Sequence, residues 1–343
     1  MLAPQMKQRL KSTFSSLLKF LFSALIIYWL VTTGKLDFSA MQQLLSFQTL
    51  AVCVLLMAGN FLFGNERWSL LLKSQNIFLS RFEVWRLTLI GVFFNFVVPG
   101  GVGGDVIKGY YIAQANPTHR LASVLTVAMD RLIGLFTMVF MAVAVMIWDW
   151  ELVTQHNELQ FIFYFLLMIT AGFSFFWLII FSRRISGHSW LEKNLEKLPK
   201  GHHLVHLLQT FSSYAKRKDL FFKSLALSLV AQIFSVALFA YLGHILGFSE
   251  ISIRTYFFVV PIGFMVTAVP VSPAGVGVGQ AAFYYLFNLV TGHESSVGTS
   301  TITATQILQF AFGLIGAWCY ITLKKKNPEM MTARAVQEPT VQK

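Results

Sequence analysis

The sequence predicts an all-α, polytopic membrane protein with six full spans and two oppositely oriented, broken (re-entrant) hairpins that form an inverted repeat. Three observations carry that prediction. The 343-residue chain is 55% hydrophobic and only 12% charged, about half the ~25% charged content of a soluble domain, and its mean hydropathy is +0.62. Its apolar residues fall into runs long enough to cross a bilayer. Two glycine-rich interruptions also match at a constant offset of 174 residues: Pro99 with Pro273, Gly101-Val102-Gly103 with Gly275-Val276-Gly277, and Tyr110-Tyr111 with Tyr284-Tyr285. Self-similarity at a fixed offset is the mark of a repeated unit.

A spanning helix needs roughly 17–20 apolar residues. The first run that qualifies is Ser15 to Thr33. Lys7, Arg9 and Lys11 precede it as in a signal peptide, but the run is long enough to span and no small-residue cleavage site follows, so a retained helix is expected. Thr49 to Gly64, Leu121 to Trp148, Gln160 to Phe181, Leu220 to Leu246 and Val297 to Leu323 are the other five. Phe82 to Tyr111 and Tyr256 to Leu289 are each broken near the middle by a Pro/Gly run, which leaves halves that are short for independent crossings.

Lysines and arginines set the orientation, because they collect on the cytoplasmic side. With the N-terminus inside, Glu66-Arg67, Lys73, Arg81 and Arg86 return to the inside, and so do Arg183 to Lys218 and Lys324 to Lys326. Asp149 to Glu158 holds three acids and no Lys or Arg, which suits the outside. Of 27 Lys and Arg, only Lys35 and Arg254 fall outside. The first broken segment then starts and ends inside (Arg81 to Arg120) and the second starts and ends outside (Arg254 to His293). Two repeats, about 49–148 and 220–323, therefore have inverted topology within one transmembrane domain, 1–323. A basic cytoplasmic linker, about 183–219, joins them, and 324–343 reads as a disordered cytoplasmic tail. Within the linker, leucines at Leu191, Leu195, Leu198, Leu204, Leu207 and Leu208 suit either amphipathic surface helices or a solvated, positively biased connection.

The net charge of +12 reads as topology determinants facing anionic lipid, not as a nucleic-acid surface. Cys53 and Cys319 lie inside apolar runs and offer no disulfide framework. His202, His203 and His206 lie in the basic linker without a nearby Glu-x-x-His, so no metal is expected, and no cofactor either.

Broken helices in a membrane are tolerated where the freed backbone is buried in protein or lines a water-filled cavity. Secondary transporters place substrates at such interruptions in corresponding positions of two halves. Gly103-Gly104 and Gly277 to Gly279 are each placed to open a second half-helix, whose positive end suits an anionic group such as phosphate. Gly101 and Gly275 complete the two runs; the alternative for all these glycines is tight packing. Asp105 and Lys108, three apart, share a helix face. They either pair, or Lys108 meets a phosphate while Asp105 takes a cation or proton. Asp130 and Arg131 are the ionisable residues within Leu121 to Trp148, and intramembrane charge defaults to function. Adjacent residues diverge by about 100° on a helix, so each needs its own partner, with Asp105, Lys108, Glu66 and Arg67 available. Arg131 reads as a headgroup clamp and Asp130 as its orienting or coupling acid. In the second half Gln280, Thr303, Thr305, Gln306 and Gln309 supply hydrogen bonds but no charge, either to a headgroup or between helices.

Asn95-Phe-Val-Val-Pro-Gly-Gly-Val-Gly-Gly-Asp-Val-Ile-Lys108, Asp130-Arg131 and Pro270-Val-Ser-Pro-Ala-Gly-Val-Gly-Val-Gly-Gln280 together resemble the lysylphosphatidylglycerol synthase transmembrane, or flippase-like, family over roughly residues 10 to 325. The chain departs from that pattern with Ala274 for a glycine, Gly279 where Arg is frequent and Gln280 for the usual Glu. If that acid carries a coupling charge in the family, its role is lost here or has moved to Asp105 or Asp130. The resemblance implies a multi-pass protein of a bacterial or archaeal inner membrane, with both termini cytoplasmic, that handles phospholipids or polyprenyl-phosphate lipids. With no soluble synthase domain in this chain, aminoacyl-lipid synthesis is not expected. The expected function is therefore a lipid flippase or transporter working by alternating access, with anionic lipid as partner and a homo-oligomer left open. The alternatives are an intramembrane enzyme or accessory subunit for lipid-linked glycosyl or acyl transfer, and a non-catalytic scaffold.

Overall fold

The computed structural model describes residues 45–98, 102–117, 120–181, 217–269, 271–292 and 294–326, with scattered positions between 21 and 42. Among the described residues there are helices and no strand. In chain order they are α1 (Phe47–Ser74), α2 (Arg81–Val97), α3 (Gly103–Ala115), α4 (Arg120–Trp148), α5 (Trp150–Gln155), α6 (Asn157–Phe181), α7 (Lys218–Ile245), α8 (Ile253–Thr267), α9 (Val278–Thr291) and α10 (Val297–Lys326). Stretches of 22 to 29 residues in α1, α4, α6, α7 and α10 are long and apolar enough to cross a membrane. At 1.5 Å per residue that is about 33–44 Å, which covers a ~30 Å hydrocarbon core. Their outer faces carry large bare apolar side chains, such as Leu55, Phe161, Leu178 and Trp318, each about 70% exposed, as lipid-facing surfaces do. The chain is a polytopic membrane protein.

Most expected spans coincide with helices, with differences at the ends. The span expected to stop at Gly64 continues ten residues further, to Ser74. Two polar residues of that extension are met by protein: Asn65 accepts a 2.6 Å hydrogen bond from Thr88, and Arg67 is held by Asp130 and Ser228. The acidic loop after α4 contains the short helix α5. Lys324 to Lys326, expected in the tail, form the last turn of α10. The span Ser15 to Thr33 (apart from scattered helical positions), Pro99 to Gly101, most of the basic linker with His202, His203 and His206, and residues 327–343 lie outside the described residues.

Both interrupted segments are pairs of short helices packed on each other, α2 with α3 and α8 with α9. The α2 start is set by a capping box: Ser80 Oγ accepts from Glu83 N–H at 3.2 Å, and Ser80 N–H donates to Glu83 Oε2 at 2.9 Å. The second break holds a 3-10 turn, Pro273–Gly275, and then Gly277 at φ +85°, a backbone region that a side chain rarely adopts. The helices of the second half begin 171 to 177 residues after their counterparts, α7 after α1, α8 after α2, α9 after α3 and α10 after α4.

The packing follows the same exchange. Helix α1 lies on its own counterpart α7, while α2 packs on α10 and α8 packs on α4. Along the α1–α7 seam, Cys53 and Met57 cluster with Leu238 and Leu242, Asn60 donates to Ala231 O and Ser235 Oγ at 2.8 Å each, and Arg67 reaches Ser228 at 2.8 Å. Rising numbers on α1 meet falling numbers on α7, so the two equivalent helices run antiparallel. Lipid offers no hydrophobic drive for helix pairing, so close approach must supply it. Along the α2–α10 seam, for example, a Cβ on Gly316 would strike the Leu89 carbonyl. The hairpin α8–α9 is seated on an aromatic stack in which the Phe239 and Phe283 rings lie 4.9 Å apart.

Candidate functional site

A cavity of about 340 Å³ opens between the two hairpins, walled by α1, α2, α3, α4, α7, α8 and α10. Each expected charge reaches it. Helix α3 starts at Gly103 because the break releases the chain there, so Asp105 falls in the first turn and Lys108 one turn further. Asp105 is bound by Arg131 of α4, and Asp130 by Arg67 of α1 at 2.7 Å. The adjacent residues of α4 thus have separate partners on opposite neighbours, as their divergence on a helix requires. Asp105 and Lys108 do not pair; the Lys108 ammonium lies 4.6 Å over the Trp68 ring, a cation–π contact.

The Arg67–Asp130 pair is the more enclosed, with side chains 12% and 15% exposed, whereas Arg131 is 40% exposed. Arg67 also donates to Ser228 Oγ, which sits 2.6 Å from Thr137 Oγ1. One arginine therefore ties α1 to α4 and α7. Asp105 ties α3 to α4. Rearrangement of the first hairpin against α4 must break or slide the Asp105–Arg131 pair.

The glycines and glutamines divide into lining and support. Gly104 lines the cavity, and its N–H is taken by Asn95 Oδ1 at 2.9 Å, not left open. A Cβ on Gly104 would strike Gly91 O, so this glycine lets the arms of the first hairpin meet. Gly103 is buried against Phe94 O and Val98, and Gly101 lies outside the described residues. In the second half the wall is formed by Phe264, Thr267, Ala268 and Ala274 of the hairpin and by Ile302, Gln306 and Gln309 of α10. Behind it stand Gly275, Gly277 and Gln280. Gln280 is 1% exposed; it accepts from Gly277 N–H at 2.7 Å and donates to Thr303 Oγ1 at 3.1 Å and Gln306 Oε1 at 2.7 Å. Gln306 in turn donates to Ala274 O at 3.3 Å. Gln280 is a brace that fixes the break and aims Gln306.

Among the lining residues to which the sequence reading gave no role are three amides, Asn60, Asn95 and Gln232. The available signal was a side-chain amide inside an apolar run, which is costly unless it faces protein or a cavity.

The profile of the family described as Lysylphosphatidylglycerol synthase TM region matches residues 16–317. The chain belongs to that family. No curated protein and no solved structure matches it. Every residue that lines the cavity, from Asn60 to Gln309, lies within the stretch shared with the lysylphosphatidylglycerol synthase TM region family. At Gln280, where the resemblance described above implies an acidic residue, the amide both accepts and donates. A carboxylate could only accept.

Proposed function

We propose that this protein moves a phospholipid or polyprenyl-phosphate-linked lipid across a cell inner membrane by alternating access, with the headgroup in the cavity between the hairpins. In this reading the retained first helix makes a sixth span and both termini are cytoplasmic. The two hairpins are re-entrant, α2–α3 from the inside and α8–α9 from the outside, and the halves form an inverted repeat. The observation that carries the reading is the meeting of both breaks at one charged cavity inside an apolar bundle. The antiparallel run of α1 and α7 supports the inversion, and membership of a lysylphosphatidylglycerol synthase TM region family supports a lipid role.

The roles follow from the pairs. Arg131, the more exposed guanidinium, is the headgroup clamp: a lipid phosphate competes with Asp105 for it and loosens the first hairpin from α4. Asp130 and Arg67 hold α4 against α1 and α7 while that exchange takes place. An enzyme using Asp105 or Asp130 as a base is less well supported, because each carboxylate already faces an arginine. The test is Arg131→Ala in reconstituted vesicles carrying a labelled lipid. Translocation should be lost while mass spectrometry finds the lipid chemically unchanged. Undiminished translocation rejects the clamp, and a modified lipid rejects transport in favour of catalysis.

A further inference from the structure

We infer that the protein holds one sodium-sized, monovalent cation in a second cavity beside the charged one, and that this cation binds together with the anionic lipid. The inference rests on the transport reading above and adds a coupling site to it. A smaller cavity of about 20 Å³ lies where α1, α7, α8 and α10 meet. A water-sized species needs at least ~10–15 Å³ of such space, so there is room for one. The polar walls are Asn60 of α1, Ser235 of α7, and Thr305 and Gln309 of α10; the other linings are apolar, and none is ionisable. Asn60, Gln309, Phe61 and Phe264 also line the large cavity, so the two share a wall.

The hydrogen bonds around the small cavity engage its donors and leave its acceptors. Ala231 O can only accept, so the Asn60 amide faces it with the NH2, which donates there and to Ser235 Oγ at 2.8 Å each. Both amide protons are then engaged, and the Asn60 carbonyl oxygen is left. The Ser235 and Thr305 hydroxyls donate to Ala231 O at 3.4 Å and to Thr301 O at 2.8 Å, so each presents lone pairs. Gln309 makes no hydrogen bond among the described residues and has a carbonyl to add. Walls that accept and do not donate suit a species that brings positive charge. Neutral oxygens hold a monovalent cation, as the carbonyl rings of potassium filters do, whereas a divalent ion buried without a carboxylate is too costly. Thr305 also stands 174 residues after Arg131, the repeat offset. Where the first half carries a guanidinium, the second carries an oxygen acceptor.

The shared wall couples the two sites. The large cavity presents three cations, Arg67, Lys108 and Arg131, and two carboxylates. By themselves these oppose a cation next door; an anion held among them reverses the sign. Gln309 lines both cavities, and one amide can give its carbonyl to the cation and its NH2 to the anion. Binding of either therefore tightens the other, by the same factor in both directions.

The experiment equilibrates radioactive sodium with purified full-length protein in micelles that contain either phosphatidylglycerol or phosphatidylcholine, with ionic strength held constant by choline chloride. The wild type should bind one sodium per chain saturably, about tenfold more tightly with phosphatidylglycerol, within the usual ~5–150-fold range of coupling between sites. Thr305→Val, which keeps the shape and removes the oxygen, should weaken binding at least ~tenfold, and so should Gln309→Leu. Thr305→Ser should keep it, because the hydroxyl remains. Absence of saturable sodium binding shows a cavity that holds water only and overturns the inference. Unchanged binding in folded Thr305→Val and Gln309→Leu proteins overturns it too, as does calcium displacing sodium at lower concentration than potassium does. Equal sodium affinity in the two lipids overturns the link to the anion. In vesicles an imposed sodium gradient should drive labelled phosphatidylglycerol across the bilayer. Sodium bound as expected without translocation under any gradient rejects the transport reading alone, whereas translocation indifferent to sodium overturns the coupling alone.

Discussion

The Arg67–Asp130 pair permits the most quantitative test. Asp130→Asn removes the charge that faces Arg67 at 2.7 Å and leaves the guanidinium with Ser228 as its remaining bonded partner. Removing one member of a buried ion pair costs about 3–5 kcal/mol, because the other charge stays buried without its counter-ion. Here the side chains keep 12% and 15% exposure and the pair borders a cavity, so the lower end applies, about 3 kcal/mol, or roughly 150-fold in the unfolding equilibrium. Arg67→Met strands Asp130 in the same way and should cost a similar amount. The double variant Arg67→Met/Asp130→Leu strands neither. It should cost about 3 kcal/mol or less instead of the additive ~6, a coupling of about 3 kcal/mol. Equilibrium unfolding in mixed micelles, followed by tryptophan fluorescence, measures all four proteins; Trp68 is next in sequence to the perturbed arginine. Single variants that each cost less than about 1 kcal/mol, or a double variant at the sum of the singles, would refute the view that this pair holds α1 to α4.

Gly104→Ala drives a Cβ into the Gly91 carbonyl, which is backbone and cannot rotate away, and should destabilise by about 2–3 kcal/mol; Gly91→Ala, whose nearest neighbour is the Lys108 chain at 3.2 Å, should cost clearly less by the same unfolding assay. Gln280→Leu deletes bonds to Gly277, Thr303 and Gln306 in a buried site and should cost about 3 kcal/mol, since several groups lose partners together; a cost under ~1 kcal/mol would show that the second break stands without its brace. Single cysteines at Ser80 and Ser296, with Cys53 and Cys319 replaced, should label from opposite faces of oriented vesicles; labelling from the same face overturns the inverted arrangement of the hairpins.

The long helices and both breaks were legible in the sequence because they depend on local properties. An apolar run near twenty residues must pair its backbone within itself in lipid, and Pro/Gly runs prevent that locally. The 174-residue register was legible too, and the helix starts repeat it within three residues. Residues such as Asp105, Asp130 and Arg131 stood out because a charge in an apolar segment is too costly to lack a partner. Which partner each would take was not legible. The end of α1 was misjudged for the same reason: Asn65 and Arg67 look like a bilayer edge when water is the assumed partner, whereas Thr88, Asp130 and Ser228 serve instead.

By itself, then, the sequence determined the class of protein, its helices, its interruptions and the confinement of cavity charge to one half. Only the tertiary structure decided that Arg67 belongs with Asp130 and Arg131 with Asp105, that Gln280 stands behind the wall while Gln306 forms it, and that Lys108 lies over the Trp68 ring. Helix formation and bilayer crossing are settled by neighbours along the chain. Ion pairing inside a membrane is settled by which side chains, here 26 and 63 residues apart, packing brings within about 3 Å of each other.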